Sequence, residues 1–178
     1  ARMKVNGQLM IAGDDPIESE DMIAFWKRCG ADPEYDGDRD SSYVAHNGVR
    51  FRVNLHRHLG NLGAVLRQIN TEIPGIESLG LPVELLTKWV SAPSGLVLIT
   101  GPTGSGKSTT LASSLEWLNQ NSSKHIVTIE DPIEYLFESK KSLFTQREVH
   151  TDTDSFARGL RSSLRQAPDV ILLGEIRD

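Results

Sequence analysis

The sequence predicts an α/β protein in which a small unit with a largely antiparallel sheet precedes a unit with a mainly parallel sheet. In the first 70 residues, alternating apolar stretches surround two Asn-Gly pairs, at residues 6–7 and 47–48, which are typical of tight hairpin turns. From residue 96 onward, apolar runs alternate with helix-compatible stretches, an order typical of parallel sheets. Residues 101–108 lie between the apolar run at 96–100 and the helix-compatible stretch that follows it. They fit the pattern G-x-x-x-x-G-K-[ST] at every fixed position.

In the first unit, residues 14–16 predict the start of a helix that ends at Gly30. Residues 32–40 are acidic and turn-rich and predict a loop, and residues 41–55 predict a second hairpin. The spacing of apolar residues alone does not decide which secondary structure residues 64–69 adopt. The predicted apolar side of the helix consists of Ile17, Met22, Ile23, Phe25 and Trp26.

The boundary between the units is predicted by a stretch rich in proline and glycine. We expect a first domain over residues 1–70, a linker over 71–81 and a second domain over 82–178. Pro82 opens a short amphipathic helix, and the run at 96–100 predicts the strand that leads into the phosphate-loop pattern. The apolar side of that helix consists of Leu85, Leu86, Trp89 and Val90.

The rest of the second unit reads as strands separated by one further helix. Strands are predicted at 125–129, 143–149 and 170–173. Asp152 or Asp154 is expected to cap the intervening helix, which should run to about residue 166.

The composition of the chain limits the classes of protein to which it can belong. A net charge of −5 over 178 residues argues against an electrostatic nucleic-acid binder. The single cysteine, Cys29, permits no intrachain disulfide and fits a reducing compartment. No run approaches the length of a membrane-spanning helix, and no signal peptide is visible. The sequence starts within one predicted strand and stops just after another, so we expect it to be a piece of a longer protein. We expect this piece to hydrolyse nucleotide poorly by itself.

The phosphate-loop pattern predicts how a nucleotide is bound. Its glycines let backbone N–H groups turn toward phosphates, Lys107 reaches the β- and γ-phosphates, and the hydroxyl of Ser108 binds Mg²⁺. The residues assigned to ATP binding are Gly101, Pro102, Thr103, Gly104, Ser105, Gly106, Lys107, Ser108 and Thr109.

Acidic residues follow two of the predicted strands, at the edge where ligands of parallel sheets bind. Glu134 could polarise a water, while Glu130 or Asp131 could serve either Mg²⁺ or the local loop. After the last strand, Gly174 stands where an aspartate is common, so Glu175 must act alone, through a water or Mg²⁺. Ser108 and Glu175 are therefore the predicted metal ligands.

Arginines form two groups that could supply positive charge at a phosphate or an interface. The first lies in the first unit and the second on and around the predicted last helix, where Arg161 and Arg165 share a face. The histidines show no metal-ligand spacing with cysteine, and we predict no zinc site. The two groups are Arg50, Arg52, Arg57 and Arg67, and Arg147, Arg158, Arg161 and Arg165.

The runs GPTGSGKST, TIEDPIEY and GEIRD, together with VRFRVNLHRHLGNLGAVLRQI upstream, closely resemble the bacterial type IV pilus retraction ATPases of the secretion-ATPase superfamily. The resemblance implies a PAS-like first domain, with a strand at 64–69, followed by a truncated RecA-like ATPase domain. It implies a homohexamer that uses ATP and Mg²⁺ and contacts an inner-membrane pilus platform protein. The implied location is the cytoplasmic face of the bacterial inner membrane, reached through partners only, with no nucleic-acid partner.

The resemblance also implies roles for single residues. Glu134 falls on the family's catalytic glutamate, and Glu175 falls on its Walker B glutamate. Arg52 and Arg67 fall on arginines thought to sense nucleotide. Arg57 is a weaker candidate, because the family tends to place this arginine three residues later.

Three functions remain open at the level of sequence. The segment QREVHTDTDSF resembles the retraction branch, and a type II secretion or pilus assembly ATPase is the first alternative. A regulatory paralogue that binds nucleotide without hydrolysing it is the second, although all the expected acids are present.

Overall fold

The computed structural model describes residues 2–5, 8–11, 13, 16–34, 37–69 and 72–176. Contacts between residues divide the chain into two units, Ala1–Gln68 and Ile69–Asp178. None of the helices in these described ranges has the length and apolar character needed to cross a membrane.

The first unit contains a hairpin, one helix and a three-stranded antiparallel sheet. Strands β1 (Arg2–Val5) and β2 (Gln8–Ile11) pair antiparallel, and the two residues between them, the predicted Asn6-Gly7 turn, lie outside the described residues. The sheet has the order β3-β4-β5, with the predicted turn at Asn47 and Gly48 between its first two strands. The elements are β1 (Arg2–Val5), β2 (Gln8–Ile11), α1 (Ser19–Arg28), β3 (Arg39–Val44), β4 (Arg50–His58) and β5 (Asn61–Gln68).

The core of the first unit forms where α1 packs against one face of this sheet. Val53 and Leu55, two residues apart on β4, point to that face and are fully buried with Trp26 of α1. The indole Nε1 of Trp26 donates a hydrogen bond of 3.2 Å to the carbonyl of Gly63 on β5. The ambiguous stretch at 64–69 is therefore a strand over most of its length, held by pairing that its own periodicity does not reveal.

The helix begins later than predicted. It starts at Ser19, with Glu18 as its N-cap residue, while Asp14 and Asp15 lie outside the described residues. Ile17 therefore precedes the helix and is exposed, and Ile23 is also exposed. The apolar set predicted for this helix was wrong at these two positions, because only the side chains spaced like Met22, Phe25 and Trp26 face the sheet.

The second unit has a three-stranded parallel sheet in which β6 (His125–Glu130) lies between β7 (Leu143–Glu148) and β8 (Val170–Leu173). The central strand is buried from residue 126 to residue 130, and Ile126 forms a core cluster with Leu115 and Leu118 of α3. The elements are a 3₁₀ helix (Ile76–Leu79), α2 (Val83–Val90), α3 (Lys107–Asn121), β6 (His125–Glu130), β7 (Leu143–Glu148), α4 (Phe156–Ser163) and β8 (Val170–Leu173).

Two segments before the phosphate-loop pattern differ from a simple linker and strand. Ile76 of the 3₁₀ helix is buried, and this helix contacts α3. The predicted strand at 96–100 does not form, and Leu96 and Leu98 are 81% and 60% exposed. An apolar run becomes a strand only where a neighbouring strand completes its hydrogen bonds, and the sheet of this unit consists of β7, β6 and β8 alone within the described ranges.

The cap of α4 was also predicted wrongly. Ser155 is the N-cap residue, and its Oγ accepts a hydrogen bond of 3.2 Å from the backbone N–H of Arg158. Asp152 instead accepts from the backbone N–H of Glu148, and Asp154 pairs with the side chain of Arg158. The serine lies one residue before the first helical residue, where its oxygen reaches the free N–H groups of the first turn.

Candidate nucleotide site

The phosphate-loop pattern forms a turn that ends at the N-terminus of α3. Gly104 and Gly106 have φ values of 80° and 90°, in the left-handed region that favours glycine. Gly106 is the N-cap residue of α3, with no side-chain cap, and the first turn of the helix carries no acidic residue. This end of the helix therefore presents its positive dipole and its N–H groups without a competing carboxylate from that turn.

The predicted phosphate-binding lysine lies across the loop. Lys107 Nζ donates hydrogen bonds of 2.9 Å to the carbonyls of Gly101 and Pro102. The ammonium group is thus held at the open side of the loop by two neutral acceptors, with Ser108 next to it in the first turn of α3. Neutral acceptors of this kind can be exchanged for a phosphate, which binds an ammonium group more strongly.

The acidic residues predicted at the strand ends meet Ser108 in one cleft. Ser108 lines this cleft together with Glu130 at the end of β6, Glu134 four residues later, and Glu175 just after β8. The side chain of Glu134 is exposed and that of Glu175 is half-buried. The structure therefore brings the predicted metal ligands and the predicted catalytic glutamate of the second unit to the same edge of the sheet.

Glu130 is the most buried carboxylate of this cleft, with 7% of its surface exposed. Burial raises the pKa of its carboxyl group, against hydrogen bonds that favour the charged form. Thr128 Oγ1 donates to Glu130 Oε1 at 2.6 Å, and the backbone N–H of Glu134 donates to Oε2 at 3.4 Å. Of the two roles that the sequence left open for Glu130, these bonds favour support of the local loop.

The glycine after β8 has a steric reason. A Cβ atom added to Gly174 would lie 3.3 Å from both the Cα and the Cγ of Glu130. The Gly174 backbone N–H also donates to the carbonyl of Ile129 at 2.9 Å, which holds the two strand ends together. Glu130 thus occupies the space that a side chain at position 174, where an aspartate is common, would need.

The segment on both sides of Glu134 is held by two polar side chains of β7, Gln146 and Glu148, that sequence reasoning missed. Gln146 donates to the carbonyl of Tyr135 at 2.8 Å and accepts from the backbone N–H of Phe137 at 2.9 Å. Glu148 accepts from the backbone N–H of Ile133 at 3.1 Å. Alternating side chains of an edge strand usually face solvent, so polar residues in a predicted strand are the only sequence signal for these roles.

The arginines predicted to sense nucleotide lie in the first unit. Arg52 on β4 pairs directly with Arg67 on β5, so both side chains belong to the same face of that sheet. Arg52 also lies 3.9 Å from Asp40 on β3. The weaker candidate, Arg57, lies on the opposite face, with its guanidinium 5.8 Å from the centre of the Trp26 ring.

Two arginines of the second group have partners within the second unit. Arg147 donates to the carbonyls of Gly159 and Asp152, and Arg158 pairs with Asp154. Arg161 and Arg165 are exposed, the first on α4 and the second just beyond its end. Across the described ranges, no group of three or more His, Cys, Asp or Glu side chains is arranged to hold a metal ion.

Comparisons with known proteins agree with the family resemblance that the sequence motifs indicate. The profile of the type II/IV secretion system protein family matches residues 36–178. The type IV pilus retraction ATPase PilT of Pseudomonas aeruginosa is 52% identical over 139 residues, which are 78% of this chain and 40% of that protein. The type IV pilus ATPase PilU of the same organism is 41% identical over 180 residues, covering 98% of this chain and 47% of that protein.

A solved structure agrees with these relatives. The crystal structure of the pilus retraction motor PilT with bound ADP superposes with a TM-score of 0.89 and 42% identity, over 99% of this chain and 53% of that one. The α/β fold expected from the sequence is thereby confirmed. The chain spans about half the length of the proteins that it matches.

Proposed function

Because the chain belongs to the type II/IV secretion system protein family, we propose that it is the nucleotide-binding part of an ATPase motor that powers type IV pilus retraction and twitching motility. The observation that carries this proposal is the cleft in which Ser108 of the phosphate loop faces Glu134 and Glu175. A phosphate-binding loop alone indicates nucleotide binding, whereas carboxylates at its edge are what hydrolysis requires.

The chain's own residues fit ATP and Mg²⁺. The backbone N–H groups of residues 103–109 and the ammonium of Lys107 bind phosphates, and the lack of an acid in the first turn of α3 leaves that end suited to an anion. Mg²⁺ takes one or two protein oxygens and completes its shell with phosphate and water, so Ser108 and Glu175 suffice as its protein ligands. ATP supplies the phosphoanhydride bond whose hydrolysis releases the free energy for movement.

Each remaining site residue has one task in this proposal. Glu134, exposed in the cleft, orients and activates the attacking water. Glu130 anchors the backbone of Glu134 and leaves the metal to Glu175. Arg52 and Arg67 respond to the γ-phosphate and so report the nucleotide state to the first unit.

The assembly proposed for this motor is a homohexamer on the cytoplasmic face of the bacterial inner membrane. It would contact a pilus platform protein and reach the membrane only through partners, and it needs no nucleic acid. The support is the resemblance of the whole chain to pilus motors, together with the two-unit organisation and the pair of arginines on one sheet face. The residues proposed to sense nucleotide and those proposed to hydrolyse it then lie on different units.

A type II secretion or pilus assembly ATPase is the second candidate, because the description of the matching family covers type II as well as type IV secretion systems. The segment at 146–156 favours retraction. It folds as a turn between β7 and α4, in which Glu148 N–H donates to Asp152 at 2.8 Å and Thr151 Oγ1 donates to Glu148 at 3.2 Å. A segment richer in glycine, which we expect for the other branches, would lack these side chains.

Cells that carry Lys107→Ala in the full-length gene distinguish the two candidates. If the protein drives retraction, these cells keep or increase their surface pili and lose twitching motility. The matched control, Lys141→Ala, changes an exposed lysine outside the cleft and should leave both properties unchanged. Loss of surface pili in the Lys107→Ala cells would instead identify an assembly motor.

A further inference from the structure

One hydrogen bond joins the start of α3 to the segment that carries Glu134. The hydroxyl of Tyr135 lies 3.0 Å from Oγ1 of Thr109, and the contact is partly buried. Thr109 directly follows Ser108 in the first turn of the helix, and Tyr135 directly follows Glu134. The two hydroxyl groups therefore connect the neighbour of a phosphate-loop residue with the neighbour of the proposed catalytic glutamate.

The backbone around Tyr135 is fixed from the other side by β7. Gln146 donates to the carbonyl of Tyr135 and accepts from the N–H of Phe137, at 2.8 and 2.9 Å. The ring of Phe137 stacks on that of Phe144 with centroids 4.2 Å apart and an angle of 5° between their planes. The segment is thus attached to the sheet immediately after Glu134.

In the described ranges, the other hydrogen bonds between α3 and residues 135–142 lie far from the phosphate loop. They join Asn119 to Glu138 and to the backbone N–H groups of residues 140–142, and Glu116 to the side chain of Lys140. These positions are about two and three helical turns beyond Thr109. The far end of α3 is therefore tied to the segment by several bonds, while the phosphate-loop end is tied to it by the Thr109–Tyr135 pair.

We propose that Tyr135 is a positioning residue that sets the place of Glu134 relative to the phosphate loop through its hydrogen bond with Thr109. A movement of the first turn of α3 then moves Tyr135, and Glu134 follows because it is the adjacent residue. Tyr135 touches no reacting atom in this account. The inference rests on the proposed ATPase function and adds a residue that sets its rate.

The test uses the full-length protein and the steady-state kinetics of Mg²⁺-dependent ATP hydrolysis. Tyr135→Phe removes only the hydroxyl, and Thr109→Val removes the partner hydroxyl at equal volume, while Thr109→Ser keeps it. Tyr43→Phe is the matched control, since Tyr43 lies in the first unit, where its ring packs on Phe25. Thermal melting of each variant reports on folding.

For Tyr135→Phe we expect kcat to fall about three- to tenfold, which is what one net hydrogen bond is worth. KM should stay within about twofold, because the lost bond positions a catalytic group and does not bind substrate. The double variant Tyr135→Phe with Thr109→Val should fall no further than the worse single variant, because both changes break the same bond. Tyr43→Phe should match the wild type in kcat and melting temperature, and Thr109→Ser, which keeps the hydroxyl group, should retain a higher kcat than Thr109→Val.

Other outcomes overturn the inference. An unchanged kcat in Tyr135→Phe, a change in KM alone, or single effects that multiply in the double variant would each contradict it. If Tyr135→Phe does not fold, the contrast between Thr109→Val and Thr109→Ser decides, and equal kcat values in these two would contradict it. These failures leave wild-type hydrolysis intact, whereas a wild type that does not hydrolyse ATP would remove the proposed function together with this inference.

Discussion

The backbone of Gly174, just after β8, lies so close to Glu130 at the end of β6 that an added Cβ would be 3.3 Å from the Glu130 Cα. The two strand ends are also joined by the hydrogen bond from Gly174 N–H to the carbonyl of Ile129. Gly174, which has no side chain, therefore leaves room for the buried side chain of Glu130. Glu130 in turn accepts a hydrogen bond from the backbone N–H of Glu134. A side chain at position 174 that displaced Glu130 would therefore also displace the proposed catalytic residue.

Gly174→Ala should therefore lower both stability and activity. The methyl group meets the backbone of a buried strand, which has little room to move, and overpacking of this kind costs about 1–3 kcal/mol. The free energy of unfolding from urea titration and kcat for ATP hydrolysis by the full-length protein measure the two effects. Gly37→Ala is the matched control, because its Cβ would have no atom within 4 Å, and we expect a change below about 0.5 kcal/mol there. Wild-type stability and kcat in Gly174→Ala would show that Glu130 moves freely.

Ser155→Ala should destabilise the second unit through the loss of the α4 cap. The Ser155 Oγ accepts from the N–H of Arg158, and replacing such a cap by alanine costs about 0.5–2 kcal/mol. Asp154→Asn removes the charge of an exposed pair with Arg158 and should cost less than about 1 kcal/mol. Urea unfolding of both variants gives the comparison. A larger effect for Asp154→Asn would restore the aspartate that the sequence had suggested as the cap.

Glu116 should make stability depend on pH in the acid range. Burial alone would raise the pKa of its carboxyl group, but hydrogen bonds from Lys140, Asn119 and Gln120 outweigh burial and hold the pKa below its usual value. A lowered pKa in the folded state contributes stability that is fully present above the unfolded value of about 4.3 and is lost as the pH falls through the folded value. Glu116 therefore stabilises the protein at neutral pH and ceases to do so in acid.

Glu116→Gln should accordingly cost about 1.5 kcal/mol at pH 7, the low end for a hydrogen bond to a charged group, because Lys140 is half exposed. The difference from the wild type should shrink as the pH falls below the unfolded value of about 4.3, and it should be smallest once the folded carboxyl group is protonated too. Urea unfolding at a series of pH values measures it. Glu138→Gln, at an exposed position nearby, serves as the control for the loss of one carboxylate. A difference between Glu116→Gln and the wild type that is independent of pH would contradict this account.

Local sequence signals predicted much of the second unit. Strands β6, β7 and β8 form within a residue or two of their predicted bounds, because continuous apolar or alternating runs between polar turns leave few alternatives. The acidic residues after β6 and β8 meet because parallel strands end at the same edge of a sheet. The phosphate-loop pattern carries its own conformation in Gly104 and Gly106.

Features that depend on tertiary neighbours escaped prediction. The run at 96–100 is as apolar as β8 yet forms no strand, since pairing is decided by neighbours and not by the run itself. The roles of Gln146 and Tyr135 arise from a segment that folds over β7, and no spacing in the sequence reports that contact. The steric reason for Gly174 likewise lies 44 residues away along the chain, at Glu130.

If Glu134 and Lys107 act in one hydrolytic site, steady-state ATP hydrolysis by the full-length protein requires both side chains. With Mg²⁺ present, the wild type should hydrolyse ATP. Lys107→Ala should lose nucleotide binding and hydrolysis together, and Glu134→Ala should keep nucleotide binding while kcat falls at least about 100-fold. Glu138→Ala, four residues further on and outside the cleft, should match the wild type. Normal hydrolysis by Glu134→Ala or Lys107→Ala would contradict the account, and a wild type that binds ATP without hydrolysing it would identify a regulatory nucleotide-binding protein.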